Sequence, residues 1–386
     1  MKFLTKIGFA SIVTVLFSNA SAFAADEIRI GLIGEMSGTF AEFGAQFMGG
    51  VAAFQKLNGA VVAGKQIKII VKDVGGPNPD VAKRLAQELV VRDKVDILTG
   101  FGFTPNAAAV APVATEAKVP MIVMTAAAEN LTAASDYMVR VSYSSSGLVR
   151  PLAEWAVAQG KKKAYLLVSD YRTGHEVEAE YQKVLPEIGG EVIASIRTPL
   201  SNVDFSAYLQ RIKDARPAAL FAFVNGGDVA VSLMQRYREK GLDSDGIAMM
   251  GTGEMTDELI LPILGDNALG LVTSYPYSME HDSDLNRAFI KAYHEARGGK
   301  SAAGIMSVGA FDAMAVIYAA LKKTQGNADG AALIAAMKGL ELESPRGPIK
   351  IDPNTRDIVQ NIYLRRVERV GDHYGNVEFK TIKPTE

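Results

Sequence analysis

Ile28-Arg29-Ile30-Gly31-Leu32-Ile33 opens into the loop Gly34-Glu35-Met36-Ser37-Gly38-Thr39-Phe40-Ala41-Glu42-Phe43-Gly44, and then into an amphipathic stretch over residues 45–57 closed by Asn58-Gly59. A short β-branched run, a glycine-bounded loop and a helical period read as strand, crest loop and helix. The unit recurs. Strands are predicted at 66–72, 95–98, 120–124, 139–141, 164–168, 191–196, 219–223 and 247–250. Helices between them fall at 80–92, 106–117, 146–159, 176–188, 205–215 and 228–240. This alternation predicts parallel sheets with right-handed crossovers and helices on both faces. A weak internal echo supports two similar halves. Pro77-Asn78-Pro79-Asp80 before one helix resembles Ser201-Asn202-Val203-Asp204 before another, and in each half the next strand runs into a glycine-containing loop.

The rhythm then changes. Helices are expected at 284–296, 307–324 and 331–338, and a short strand at 347–351 among Pro345, Pro348 and Pro353. A terminal hairpin is expected from 359–370 with 373–381. No low-complexity linker separates the halves. Two lobes would therefore be joined by short crossings near 142–145, 274–278 and 352–355.

Ahead of the first strand, Lys2 and Lys6 flank the start of an apolar run over 7–17, and small residues stand at Ala22 and Ala24. That is the pattern of an export signal cleaved near Ala24. About 362 residues would remain, enough for two domains. The chain has no cysteine, so disulfides and thiolate metal sites are excluded. Its net charge of −2, about −4 without the signal, leaves no basic footprint for nucleic acid. No later stretch reads as long and apolar enough to cross a membrane, so the mature protein is not expected to be membrane-embedded.

Motifs for catalysis are missing. Gly59-Ala60-Val61-Val62-Ala63-Gly64-Lys65 fits the start of a P-loop, but Gln66 stands where a magnesium-binding hydroxyl is required and a strand follows in place of a helix. Gly100-Phe101-Gly102 lacks the third glycine of a dinucleotide fingerprint. The four histidines are scattered. No cofactor and no metal are expected.

In open parallel sheets the ligand crevice lies beyond the carboxyl ends of the strands. The crest loops therefore supply the candidates. Thr104 either offers its hydroxyl and a helix start to an anion or merely caps its helix. Thr125 precedes the small run Ala126-Ala127-Ala128, which admits a ligand to the backbone or simply packs. Phe43, Phe101, Phe103 and Tyr171 are crest aromatics, with Phe101 the best core plug among them. Glu254, in Gly251-Thr252-Gly253-Glu254, either pairs with an ammonium group or is a solvated loop carboxylate.

Residues 28–44, with 120–132, 167–174, 250–258 and 344–352, resemble the Leu/Ile/Val-binding family, the substrate-binding proteins of branched-chain amino-acid ABC importers. The resemblance is diffuse but runs through the mature chain. It implies a type I periplasmic binding fold: α/β, with two doubly wound parallel-sheet lobes joined by three hinge crossings. The first lobe would comprise residues 25–144 with 276–354, and the second 145–275 with 355–386. It implies capture of an amino acid, apolar by default, and delivery in the periplasm to an ABC permease and its ATPase subunits, without chemical change. By matching loops, the carboxylate falls to Thr104 or Pro105 and to Thr125, Ala126, Ala127 and Ala128. The ammonium falls to Glu254, aromatic contacts to Phe43 and Tyr171, and a further loop contact to Asn225 and Gly227. Phe43 departs from a common tyrosine and Ala128 from a common hydroxyl residue. An aromatic carboxylate, another small acid or an amide is thus the alternative ligand. A sensor's ligand receptor and an exported α/β hydrolase are the rival roles.

Overall fold

The computed structural model describes residues 27–384 apart from Ser201 and Lys300. The export signal expected over 1–24 lies outside these residues. The first sheet holds β1 (Glu27–Gly34), β2 (Val61–Val62), β3 (Lys65–Asp73), β4 (Ile97–Gly100), β5 (Met121–Val123) and β6 (Met138–Arg140), in the order β2-β3-β1-β4-β5-β6. The second holds β7 (Lys163–Ser169), β8 (Glu191–Thr198), β9 (Ala219–Phe223), β10 (Ala248–Thr252) and β11 (Val272–Tyr275). A small third sheet is made by β12 (Glu341–Ser344), β13 (Gly347–Ile351) and β14 (Ile358–Gln360). The hairpin β15 (Ile362–Val370) and β16 (His373–Ile382) then completes the second sheet, in the order β16-β15-β11-β10-β9-β7-β8. The chain passes between the two large sheets three times: after β6, after β11, and from β13 through β14 to β15.

Each large sheet is covered on both faces. Ile28, Ile30 and Leu32 of β1 point to one side, where Phe47, Val51 and Phe54 of helix Ala41–Asn58 and Phe311 pack on them. Ile33 points to the other, against Leu85, Leu89 and Val110. Period-two alternation thus serves two cores at once. Gly31 lets the second helix layer approach, since a Cβ there would lie 2.8 Å from Leu89 Cδ1. The second sheet is likewise flanked by a cluster around Leu209, Leu233 and Leu261 and another around Leu152, Val177 and Phe221.

Four expectations are corrected. The sheets are mixed, because β2 joins β3 antiparallel and β15 joins β11 antiparallel. The false P-loop is a two-residue hairpin turning through Ala63-Gly64, both at positive φ, rather than a simple loop. The terminal hairpin begins at Ile362; Val359 and Gln360 belong to the hinge sheet, where they pair with β13. Helix Ile305–Lys323 is, by length and composition, apolar enough to span a bilayer. It is instead the central helix of the first lobe, and its apolar surface is buried by Phe54, Phe289 and Leu333.

Candidate functional site

The crest loops of the two sheets face each other. Gly100 makes this possible on the first lobe: at φ 108, a Cβ would meet Ile33 O at 2.1 Å. The chain turns sharply there and presents Gly102, Phe103 and Thr104 to the cleft. Together with Thr125, Ala127, Tyr143, Ser145 and Met306 they form one wall of an inner chamber. Tyr171, Thr173, Phe223, Asn225, Gly226 and Glu254 form the other, and Phe43 stands at the edge. The chamber is partly open to solvent and has a cavity volume of about 50 Å³.

One end is made of hydroxyls. Thr104 is the first residue of helix Thr104–Ala117, and its side chain does not cap that helix. Its Oγ1 instead accepts the Ala128 N–H at 3.3 Å and lies 3.4 Å from Thr173 Oγ1 of the opposite lobe. Thr125 Oγ1 donates to Phe101 O at 3.4 Å. Ser145 Oγ is buried without a partner. No lysine or arginine lines this chamber. An anion here would be held by hydroxyls and the positive end of a helix. Thr104→Ala is expected to weaken solute binding by about 1–2 kcal/mol, read as a rise in Kd by titration calorimetry. An unchanged Kd would leave Thr104 only its lobe contact.

The opposite end centres on Glu254. The Tyr143 hydroxyl donates to Glu254 Oε1 at 2.7 Å and lies 3.1 Å from the Tyr275 hydroxyl. Glu254 Oε2 and Asn225 Nδ2 are buried and unpartnered. Burial pushes the Glu254 carboxyl above its ordinary value, against the pull of the nearby Thr252 hydroxyl, of Tyr143 and of the more distant Arg365. Burial, together with the Glu254 charge, raises the Tyr143 and Tyr171 hydroxyls as well. Arg365 is committed elsewhere. It lies over the Tyr275 ring at 4.8 Å and donates to Gly253 O at 3.4 Å. Gly253 is required beneath it, because a Cβ would sit 2.1 Å from the Tyr275 ring. Between the two ends the walls are aromatic. Phe43 and Phe103 stack at 5.7 Å on one lobe, and Tyr171 and Phe223 at 6.1 Å on the other.

The structure thus brings Phe43, Thr104, Thr125, Ala127, Tyr171, Asn225 and Glu254 together around one cavity. Phe43 lies inside helix Ala41–Asn58 rather than in the loop before it, whereas Tyr171 stands in the crest loop after β7, as the N-cap of helix Arg172–Glu187. Four expected residues do not line the chamber. Pro105 lies in the first turn of its helix, half-buried. Ala126 packs in the core beside Phe101. Ala128 turns its N–H to Thr104 and its carbonyl to Arg140 Nη1 at 2.6 Å. Gly227 caps helix Asp228–Glu239 at φ 70 and faces a second cavity. Thr173 falls in an expected crest loop, while the unforeseen lining residues include Tyr143, Ser145 and Met306. Tyr143 and Ser145 sit on a crossing, and Met306 comes from a helix some 160 residues away, so no local pattern marks them.

The lobes meet beside the chamber. The Glu129 N–H donates to Glu176 Oε2 at 2.8 Å, and Arg172 Nη2 to Glu129 O at 3.4 Å. Across the cleft Gly304 lies against Asp257, where a Cβ would be 2.9 Å from Oδ2.

Behind the hydroxyl end, Glu35 is fully buried, with Oε1 accepting from Asn106 Nδ2 at 3.2 Å. Burial raises its carboxyl to about 7, and burial with the neighbouring Glu258 charge raises Asp257 to about 7. Both carboxyls hold a proton more tightly folded than unfolded. Their contribution is present below the unfolded values, 4.5 for Glu35 and 3.8 for Asp257, and is lost as pH rises through about 7. Glu35→Gln should flatten that decline in urea-melt stability between pH 4.5 and 7. An identical slope in the variant would remove Glu35 from the account.

The matches with known proteins agree with this architecture. Residues 27–372 match the family described as periplasmic binding protein, and the chain belongs to that family. It is 41% identical over 365 residues, 94% of each chain, to Leu/Ile/Val-binding protein homolog 6 of Brucella melitensis. A solute-binding protein of an ABC transporter from Rhodopseudomonas palustris, crystallised with 3,4-dihydroxybenzoic acid, is 45% identical with a TM-score of 0.89, covering 94% of this chain and 98% of that one. A second from the same species, crystallised with p-hydroxybenzoic acid, is 40% identical with a TM-score of 0.90 and the same coverage. Fold and relatives make this chain an ABC-transporter solute-binding protein of the Leu/Ile/Val-binding type.

Proposed function

We propose that the protein captures an aromatic carboxylate of the hydroxybenzoate type in the periplasm and hands it, unaltered, to an ABC permease with its ATPase subunits. The observation that carries this reading is the inner chamber: hydroxyls at one end, an unpartnered Glu254 oxygen at the other, and paired aromatic rings from each lobe between them. A flat ring would lie between such walls, its carboxylate on Thr104 and Ser145 and a ring hydroxyl on Glu254. The relatives of 45% and 40% identity hold ligands of this class.

Capture proceeds by closure. The two lobes turn as units about the three crossings. Shifting such an equilibrium from mostly open to mostly closed takes about 5.5 kcal/mol of differential binding. A micromolar solute supplies about 8 kcal/mol, so closure is within reach.

A second reading, an apolar amino acid, is favoured by the Glu254 carboxyl, which could meet an ammonium group, and by the Leu/Ile/Val-binding name of the Brucella relative. Titration calorimetry with 4-hydroxybenzoate, benzoate and leucine separates the two. Small-angle scattering with the bound solute should show compaction, and the solute should be recovered intact. Binding of leucine alone, or a chemically altered solute, would reject the aromatic-acid reading.

A further inference from the structure

A second, larger cavity of about 390 Å³ adjoins the inner chamber. The two share Phe43, Gly226, Glu254 and Met306. None of Thr104, Thr125, Ala127, Ser145 or Thr173 belongs to the outer one. The outer chamber therefore opens at the Glu254 end, away from the hydroxyls. The partition is thin: Phe43 and Met306 contribute side chains that are only partly buried, and Gly226 contributes no side chain at all.

Beyond the partition the walls are largely apolar. Leu200, Val229, Ile260 and Ile263 come from the second lobe and Ile305 from the first. Ile263 is 62% exposed, a large aliphatic left open to water. The polar part of the lining includes Thr39, Gln46, Asp228 and Ser301; Arg297 is paired with Glu42 at 2.7 Å, and Asp257 Oδ1 accepts the Leu259 N–H at 3.1 Å. A plain entry route for a small anion needs no apolar lining, and exposed apolar surface in a cleft marks binding.

Building on the aromatic-acid reading above, we propose that the outer chamber is part of the solute site. The solute class is an aryl acid bearing an apolar substituent on the ring carbon remote from its carboxylate, and that substituent lies between Val229, Ile263 and Ile305.

The test is calorimetric titration of the mature protein with 4-hydroxy-, 4-methoxy-, 4-ethoxy- and 4-butoxybenzoate, beside the 2-alkoxy isomers. From 4-methoxybenzoate upward, each further methylene buried in the outer chamber should tighten binding about fourfold, whereas the step from 4-hydroxy- to 4-methoxybenzoate gives up the phenol's hydrogen bond to Glu254. The 2-alkoxy series should show no such gain. Val229→Trp and Ile263→Trp, which crowd the outer chamber only, should erase the gain for 4-butoxybenzoate and leave the Kd of 4-hydroxybenzoate unchanged. A thermal melt with 4-hydroxybenzoate checks that each variant is folded. If 4-hydroxybenzoate binds but affinity is flat or falls along the 4-alkoxy series, the outer chamber is an entry route and this proposal fails alone. If no aryl acid binds, the reading beneath it fails first.

Discussion

Glu254→Ala raises the Kd for 4-hydroxybenzoate about thirtyfold to a hundredfold and leaves that for benzoate within about threefold. The carboxyl lies in the chamber lining, one oxygen is held by Tyr143 at 2.7 Å, and the other is buried without a hydrogen bond among the described residues. A hydrogen bond to such a group contributes about 1.5–3 kcal/mol, and its loss also strands the solute's hydroxyl in a dry site. Benzoate has nothing to lose there. Glu254→Gln sharpens the comparison. An amide can donate to or accept from a phenol, so 4-hydroxybenzoate should lose less than about 1 kcal/mol. An ammonium group has no carboxylate left to meet, so an amino-acid ligand should lose about 2 kcal/mol or more. Equal losses for benzoate and 4-hydroxybenzoate in the alanine variant would place the ring hydroxyl elsewhere. The same two variants therefore decide which class of solute the chamber reads.

Asp312→Ala destabilises the protein by about 3–5 kcal/mol, seen as a lower urea midpoint with an unchanged m-value. Asp312 and Arg346 are almost wholly buried and meet at 2.6 Å. Arg346 also donates to Ser142 O at 3.3 Å and to Val141 O, so it fastens the loop before β13 to the first crossing. Removing the carboxylate leaves a buried guanidinium uncompensated, and that penalty exceeds any loss of packing. The double variant Asp312→Leu with Arg346→Met removes both charges and should recover most of the loss. A single variant costing under about 1 kcal/mol would mean that water reaches the site on opening.

The β-α rhythm was legible because each strand carries its own period and each helix its own face. Ile28, Ile30 and Leu32 announce a strand whether or not their partners are known. The crest loops followed from the strand ends, and seven of the eleven expected contacts line the chamber. The failures have a common cause. Ala126 and Ala127 are identical in sequence terms, yet one faces the core and the other the cleft, because a single step along an extended loop reverses the side chain. The spanning length of Ile305–Lys323 went unrecognised for a different reason: its apolar residues surround the whole helix, and only the surrounding lobe accounts for that.

By itself the chain determined two α/β halves, the strand ends that carry polar loops, and the absence of any catalytic motif, because those properties are written in local periodicity and residue chemistry. Which loops face one another, that Tyr143 of a crossing holds Glu254, and that Met306 closes a chamber with Phe43 were decided only by the tertiary structure. Such contacts join residues far apart in the chain, and the packing of two lobes across a hinge, rather than any neighbouring sequence, brings them within reach.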